Sequence, residues 1–245
     1  MRYFLHLRYN GGDFFGWQIQ ASGRTVQGEL NKAISVLTQT EINVVGCGRT
    51  DAGVHASSYY AHFDVEVDIE DPEKFCFQLN GILEKDVHIM WVKEVDIDQH
   101  ARFDATSRSY TYNMHIGKNP FLEGLSARIR QAPDQNTLNQ CAEKFIGKRD
   151  FSAFEKIGGG NKTSICDVRE SYWKFNGNEF SYHITADRFL RNMVRAIVGT
   201  QLDVLKGRYQ INDLENIIDS GSRKNAGTSA AAHGLYLSEV TYKFI

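Results

Sequence analysis

Cysteine is scarce in this chain and poorly placed for a framework. Four cysteines (Cys47, Cys76, Cys141 and Cys166) are scattered through 245 residues with no Cys-x-x-Cys pair, which argues against a zinc site or a disulfide scaffold. No apolar run is long enough to span a bilayer. The opening Met1-Arg2-Tyr3-Phe4-Leu5-His6 carries no signal-peptide block. A reduced, cytoplasmic protein is expected, one in which the Asn161-Lys162-Thr163 sequon goes unused. There is no His-Glu-x-x-His, and Gly158-Gly159-Gly160 ahead of Lys162-Thr163 lacks the Gly-Lys order of a phosphate-binding loop. Gly46-Cys47-Gly48 lacks the third glycine of a dinucleotide fingerprint, and no serine sits in a nucleophile elbow. Neither a metal nor a nucleotide cofactor is expected. Charge of one sign is not in excess either. The net charge is −2, so a polyanionic partner has to be drawn by a local basic surface.

What is present is enough apolar sequence for real cores. Hydrophobic residues make up 42% and charged residues 24%, which suits one large or two small globular domains. Tyr3, Leu5, Leu7 and Tyr9 alternate on a strand. Thr25 caps a helix with apolar residues at Val26, Leu30, Ala33, Ile34 and Leu37. A second strand is expected around Val44, and a long third one through Tyr59, Ala61, Phe63, Val65 and Val67. Asp71-Pro72 opens a helix through Phe75, Leu79 and Ile82, and residues 87–95 form a fourth strand.

The order β-α-β-β-α-β then recurs with insertions. Tyr110, Tyr112, Met114 and Ile116 alternate, and Leu138, Cys141, Ala142 and Phe145 form a helical face. Two strands meet at the Asn176-Gly177-Asn178 hairpin signal. A helix is expected from Phe189 to Leu205, a short one around Leu214 to Ile218, and a last strand from Leu235 to Val240. Gly158-Gly159-Gly160 marks a flexible loop. The expected fold is α+β: two ferredoxin-like βαββαβ units with antiparallel sheets, residues 1–103 and 104–245, forming a central cleft.

Three stretches carry chemistry. The first is Gly46-Cys47-Gly48-Arg49-Thr50-Asp51-Ala52-Gly53-Val54-His55-Ala56. A carboxylate on a tight glycine loop beside a guanidinium can be held ionised and aimed outward. An Asx turn, with Asp51 bonding only its own backbone, accounts for the same residues. The second is Arg108-Ser109-Tyr110-Thr111-Tyr112, where Tyr110 offers a ring to stack on a base or to fill a core. The third is Arg188, Arg191 and Arg195, spaced at i, i+3 and i+7 for one helical stripe, facing either solvent or phosphates. Arg24, Arg49 and Arg102 stand at loop or strand ends within reach of backbone phosphates. His55, His62, His100 and His233 have no metal spacing and are read as structural or peripheral.

Six ordered blocks together resemble the TruA-type family of tRNA pseudouridine synthases, nearly end to end. They are Tyr9-Asn10-Gly11 through Gly16-Trp17-Gln18-x-Gln20 with Thr25-Val26-Gln27-Gly28; Gly48-Arg49-Thr50-Asp51-Ala52-Gly53-Val54-His55-Ala56; His100-Ala101-Arg102-Phe103 through Arg108-x-Tyr110-x-Tyr112; Asp150-Phe151-x-x-Phe154; Phe189-Leu190-x-x-Met193-Val194-Arg195; and Gly234-Leu235-Tyr236-Leu237. The resemblance implies cofactor-free isomerisation of uridine to pseudouridine in the anticodon arm of tRNA, at positions 38, 39 and 40, by a homodimer. It implies that Asp51 is the catalytic nucleophile, that Tyr110 packs on the target base, and that Arg195 is the cation paired with the catalytic aspartate. Leu235 becomes a wall of the base site and Arg49 a contact to RNA or to the flipped nucleotide. Arg24, Arg102, Arg108, Arg188 and Arg191 become candidate RNA contacts, whose phosphate pairs weaken with salt. Two positions depart from the family pattern. Ala230-Ala231-Ala232-His233 replaces a proline-rich run, so a more flexible segment is expected there, and Arg149 stands where a histidine is common. A non-catalytic RNA-binding protein would keep the arginines and tyrosines and need no Asp51. A glycosidase would want a second catalytic carboxylate, and the resemblance supplies only Asp51 in a catalytic role.

Overall fold

The computed structural model describes residues 1–156, 158 and 162–245. Of the glycine run and sequon at 158–163, Gly159, Gly160 and Asn161 lie outside the described residues. The chain is mixed α+β and divides into two compact units, residues 1–106 with 237–245, and residues 107–236.

The first unit contains β1 (Arg2–Tyr9), α1 (Val26–Thr38), β2 (Val45–Gly46), β3 (His55–Asp64), α2 (Pro72–Ile82) and β4 (Val87–Val95). Its strands run in the order β4-β1-β3, with β2 also paired to β3 and every recorded pair antiparallel. Tyr3, Leu5, Leu7 and Tyr9 of β1 are all buried, as the period-two reading expects, but Phe4 on the opposite face is buried as well. Both helices start where a side chain can satisfy an orphan N–H. Thr25 accepts from Gly28 N, and Asp71 accepts from Lys74 N with Pro72 in the first turn.

Two expectations fall short here. The strand around Val44 shrinks to two residues, Val45 and Gly46. The backbone of Val44 is taken by side chains of α1 instead, since its N–H donates to Asn31 Oδ1 and its carbonyl accepts from Gln27 Nε2. The third strand stops at Asp64, and Val67 is exposed. Asp64 pairs with Arg2, and Val65 beyond it still bonds Met1, its N–H donating to Met1 O at 3.0 Å and its carbonyl accepting from the Met1 amino group at 2.8 Å.

His62 of β3 is buried, and its Nδ1 accepts the N–H of Ala101 at 3.1 Å. Burial first, then the charges of Arg2 and His100, pull its pKa down to about 4. The unfolded histidine binds its proton below about pH 6.5, while the folded one stays neutral until about pH 4. The unfolded state therefore holds more protons in that window, and stability falls as pH drops through it. His62→Asn keeps an acceptor for Ala101 and does not titrate. Urea melts from pH 7 to pH 4 are expected to show wild type losing about 2–3 kcal/mol more than this variant.

The second unit contains β5 (Ser107–Ile116), β6 (Ala127–Ile129), α3 (Gln135–Glu143), β7 (Gly147–Asp150), β8 (Ile165–Asn176), β9 (Glu179–Ala186), α4 (Met193–Leu205) and α5 (Asp213–Asp219). The last strand, β10 (Leu235–Thr241), begins in this unit and ends in the first. Strands run β5-β9-β8-β7, with β6 parallel to β5. Asn176 and Glu179 pair across the Gly177-Asn178 turn, where Gly177 takes φ +58. β6 and β7, of three and four residues, are too short for periodicity to reveal.

Helix α4 corrects the sequence reading. It begins at Met193, not Phe189, because Asn192 takes φ +66, a left-handed conformation that cannot continue a right-handed helix. Arg188 and Arg191 therefore lie on the turn before α4. The proposed i, i+3, i+7 stripe does not form, and Arg195 alone of the three is helical. Among the described residues, no helix is long and apolar enough to cross a membrane.

Candidate active site

Asp51 sits half-buried between buried Thr50 and exposed Ala52, and Arg49 is exposed. The loop holding them is closed internally by Val54 N donating to Asp51 O at 3.1 Å, and from β3 by Tyr59 Oη donating to Gly48 O at 2.5 Å. The rest of its support comes from the end of β1 and the segment after it. Trp17 N donates to Thr50 O at 3.2 Å, and Gly53 N to Phe14 O at 3.2 Å. The hydroxyls of Tyr9 and Thr50 share a buried hydrogen bond of 2.8 Å, and Gly11 N donates to His55 Nδ1 at 3.0 Å.

Two glycines permit this contact. A Cβ at Gly11 would stand 1.9 Å from Val54 O, and one at Gly16 would stand 2.5 Å from Thr50 O. Gly16 also takes φ +94, a conformation costly for any side chain. Gly16→Ala is accordingly expected to destabilise the fold by about 2–4 kcal/mol. A denaturant melt superimposable on wild type would show that the loop yields without cost.

The other first-unit arginines are disposed differently. Arg24 donates Nη2 to Asp86 Oδ1 at 3.0 Å, Nη1 to Asp86 Oδ2, and Nε to Glu29 Oε1 at 3.2 Å. Its guanidinium also lies 4.3 Å from the centroid of the Phe14 ring. These bonds commit Arg24 to holding the loop after β1 against the start of β4. Arg102 is exposed on a turn whose N–H groups at Arg102 and Phe103 donate to His100 Nδ1. Three histidines read as structural thus each accept a backbone N–H: His55, His62 and His100.

In the second unit, Tyr110 is half-buried on β5, with its ring edge-to-face against Phe189 at 5.1 Å. Phe189 lies on the turn carrying Arg188 and Arg191. Asp187 organises that turn, since its Oδ1 accepts from Arg188 N and from Asp167 N, and its carbonyl accepts from Arg108 Nη1 at 3.1 Å. Tyr110, Arg108 and Arg188 are thus gathered around one bend. No sequence pattern marks Asp187 for this role, whereas Phe189 opens one of the matched blocks.

Arg195 is half-buried on α4 and anchors the segment before β10. Its Nε donates to Ala230 O at 2.8 Å, and Ala230 N donates back to Arg195 O at 2.9 Å. The Tyr112 hydroxyl accepts the N–H of Ala231; burial raises this phenol above its usual range, and the charge of Arg195 opposes the shift. Gly227 N donates to Thr200 Oγ1 at 2.9 Å, and Ala232–Gly234 form a short 3-10 turn. The segment expected to be loose for want of prolines is therefore tied by its own backbone. It delivers Leu235, 5% exposed, to the start of β10.

The sequence profile of a family described as tRNA pseudouridine synthase matches residues 7–104 and 141–243. A protein named tRNA pseudouridine synthase A from Parabacteroides distasonis is 43% identical over 241 residues, covering 98% of this chain and 96% of that one. Its namesake from Bacteroides thetaiotaomicron is 42% identical over 244 residues, covering 98% and 90%. A tRNA pseudouridine synthase A 2 from Clostridium perfringens is 37% identical over 240 residues, covering 97% and 98%.

Proposed function

The chain belongs to the tRNA pseudouridine synthase family, and we propose that it isomerises uridine to pseudouridine in the anticodon arm of tRNA, at positions 38, 39 and 40. In this reading Asp51 is the nucleophile, Arg195 its cationic partner, and Tyr110 the ring that receives the target base. The enzyme works in the cytoplasm as a homodimer. The observation that carries the reading is half-buried Asp51 on a loop braced by hydrogen bonds on both sides of it.

The reaction breaks the N1–C1′ bond, turns the uracil over, and forms C5–C1′. The hydrogen at C5 leaves as a proton and N1 gains one, so nothing is oxidised or hydrolysed. A carboxylate serves either by attacking covalently or by removing a sugar proton. The target base has to leave its stack, and the Tyr110 ring, already edge-packed on Phe189, is held to receive it. Arg49, exposed beside Asp51, holds RNA in this reading, and Arg102, Arg108, Arg188 and Arg191 supply phosphate contacts. Leu235 closes the base site with apolar surface. We also read each half as a ferredoxin-like unit. This rests on the β4-β1-β3-β2 neighbourhood in the first unit and on the β5, α3, β8, β9, α4, β10 sequence in the second.

Unmodified tRNA carrying tritium at uridine C5 tests the proposal. Release of label with pseudouridine mapped to 38–40 is expected. No release overturns the isomerase reading, and modification outside 38–40 overturns the positional one.

A further inference from the structure

The loop that carries Asp51 is held mainly from outside itself. Thr50, just before Asp51, is bonded twice by the opening segment: its carbonyl accepts from Trp17 N and its hydroxyl meets that of Tyr9. His55, four residues after Asp51, is 1% exposed, and its Nδ1 accepts from Gly11 N. Between these latches Gly53 N is tied to Phe14 O. Gly11 and Gly16 leave no room for a Cβ against Val54 O and Thr50 O, so the two segments lie backbone to backbone.

We propose that Tyr9 and His55 are positioning residues that set the aim of the Asp51 carboxylate by clamping its loop to the end of β1 and the segment after it. The inference rests on the reading of Asp51 as nucleophile. His55 acts through its Nδ1 lone pair. An acceptor at that place is therefore what the loop needs, and the ring proton belongs on Nε2. A buried donor such as Gly11 N, once stripped of its acceptor, shifts to find another, and the loop shifts with it. Displacing a reacting group by about 1 Å costs up to about 100-fold in rate.

Three variants test this: His55→Leu, which removes the acceptor; His55→Asn, whose Oδ1 stands close to the place of Nδ1; and Tyr9→Phe, which removes one hydroxyl. Turnover and KM are read from C5-label release on unmodified tRNA, and amide exchange is followed through residues 47–56. His55→Leu is expected to lose about 10- to 100-fold in kcat with KM within about twofold, His55→Asn to recover most of that loss, and Tyr9→Phe to lose about 10-fold. Exchange through the loop quickens in His55→Leu and Tyr9→Phe and stays near wild type in His55→Asn. Equal kcat for the Leu and Asn variants, or a loss confined to KM, overturns the proposal. Should His55→Leu fail to fold, wild-type kcat and exchange in Tyr9→Phe overturn it. A wild-type protein that releases no label overturns the isomerase reading, while loop exchange still decides whether the clamp exists.

Discussion

Asp51→Asn is expected to lower C5-hydrogen release from tRNA by about 10⁴-fold or more, the scale seen when a nucleophile is removed from a site whose parts act together. The substitution is nearly isosteric. It leaves in place the bonds from Trp17, Tyr9 and Gly11 that hold the loop, because these land on Thr50 and His55 and not on the Asp51 side chain. What it removes is the charge and the nucleophilic oxygen. Binding of tRNA is expected to persist, since the phosphate contacts proposed here are arginines and not Asp51. A melt matching wild type, together with retained tRNA binding in a filter or mobility assay, separates lost chemistry from lost fold. Equal release by wild type and variant would remove Asp51 from the mechanism altogether.

Arg195→Ala is expected to lower kcat by about 10²- to 10³-fold, the range for losing a preorganised charge at a reacting centre, with a much smaller rise in KM. Two roles meet in this side chain. In the proposed reading its charge stabilises the carboxylate of the nucleophile, while its Nε donates to Ala230 O and fixes the segment that leads to Leu235. Arg195→Lys should recover little. An ammonium on a flexible stem cannot hold one donor on Ala230 while presenting a planar fork elsewhere. Steady-state kinetics on unmodified tRNA decide the matter. Normal turnover with weakened binding would make Arg195 a phosphate contact instead of the partner of the nucleophile.

Some of the candidate site was legible because its signals are local. The alternation of Tyr3, Leu5, Leu7 and Tyr9, the Thr25 and Asp71 caps, and the hairpin at Gly177 each depend on neighbours a few positions away, and each appears where the pattern put it. Tyr110 likewise stands on the strand its spacing called for. Its partner Phe189, 79 positions on by number, reads by pattern as the start of a helix, whereas it stands on the turn before α4.

The boundary of α4 was not legible. Arg188, Phe189 and Arg191 fit a helical pattern, and Asn192 is an ordinary helical residue by propensity. What ends the pattern is a left-handed backbone at Asn192, whose Nδ2 donates to Ser229 Oγ at 2.7 Å, with the turn before it tied down by Asp187. Arg24 shows the same limit. As a lone loop arginine it reads as a phosphate contact, and only the fold brings Asp86, 62 residues away, to pair with it. The Ala230–His233 segment reads as loose without its prolines, yet Arg195 and Tyr112 hold its backbone from α4 and β5.

By itself, then, the sequence determined the strand and helix periods, the caps, the family, and the glycine loop on which Asp51 stands. These follow from residue chemistry acting over a few positions. Tertiary structure alone decided what braces that loop, where α4 begins, and which arginines are already committed. Each of those outcomes is a hydrogen bond or close contact between segments far apart in the chain. No local pattern specifies such a partner, because a buried donor takes whichever acceptor the fold brings to it.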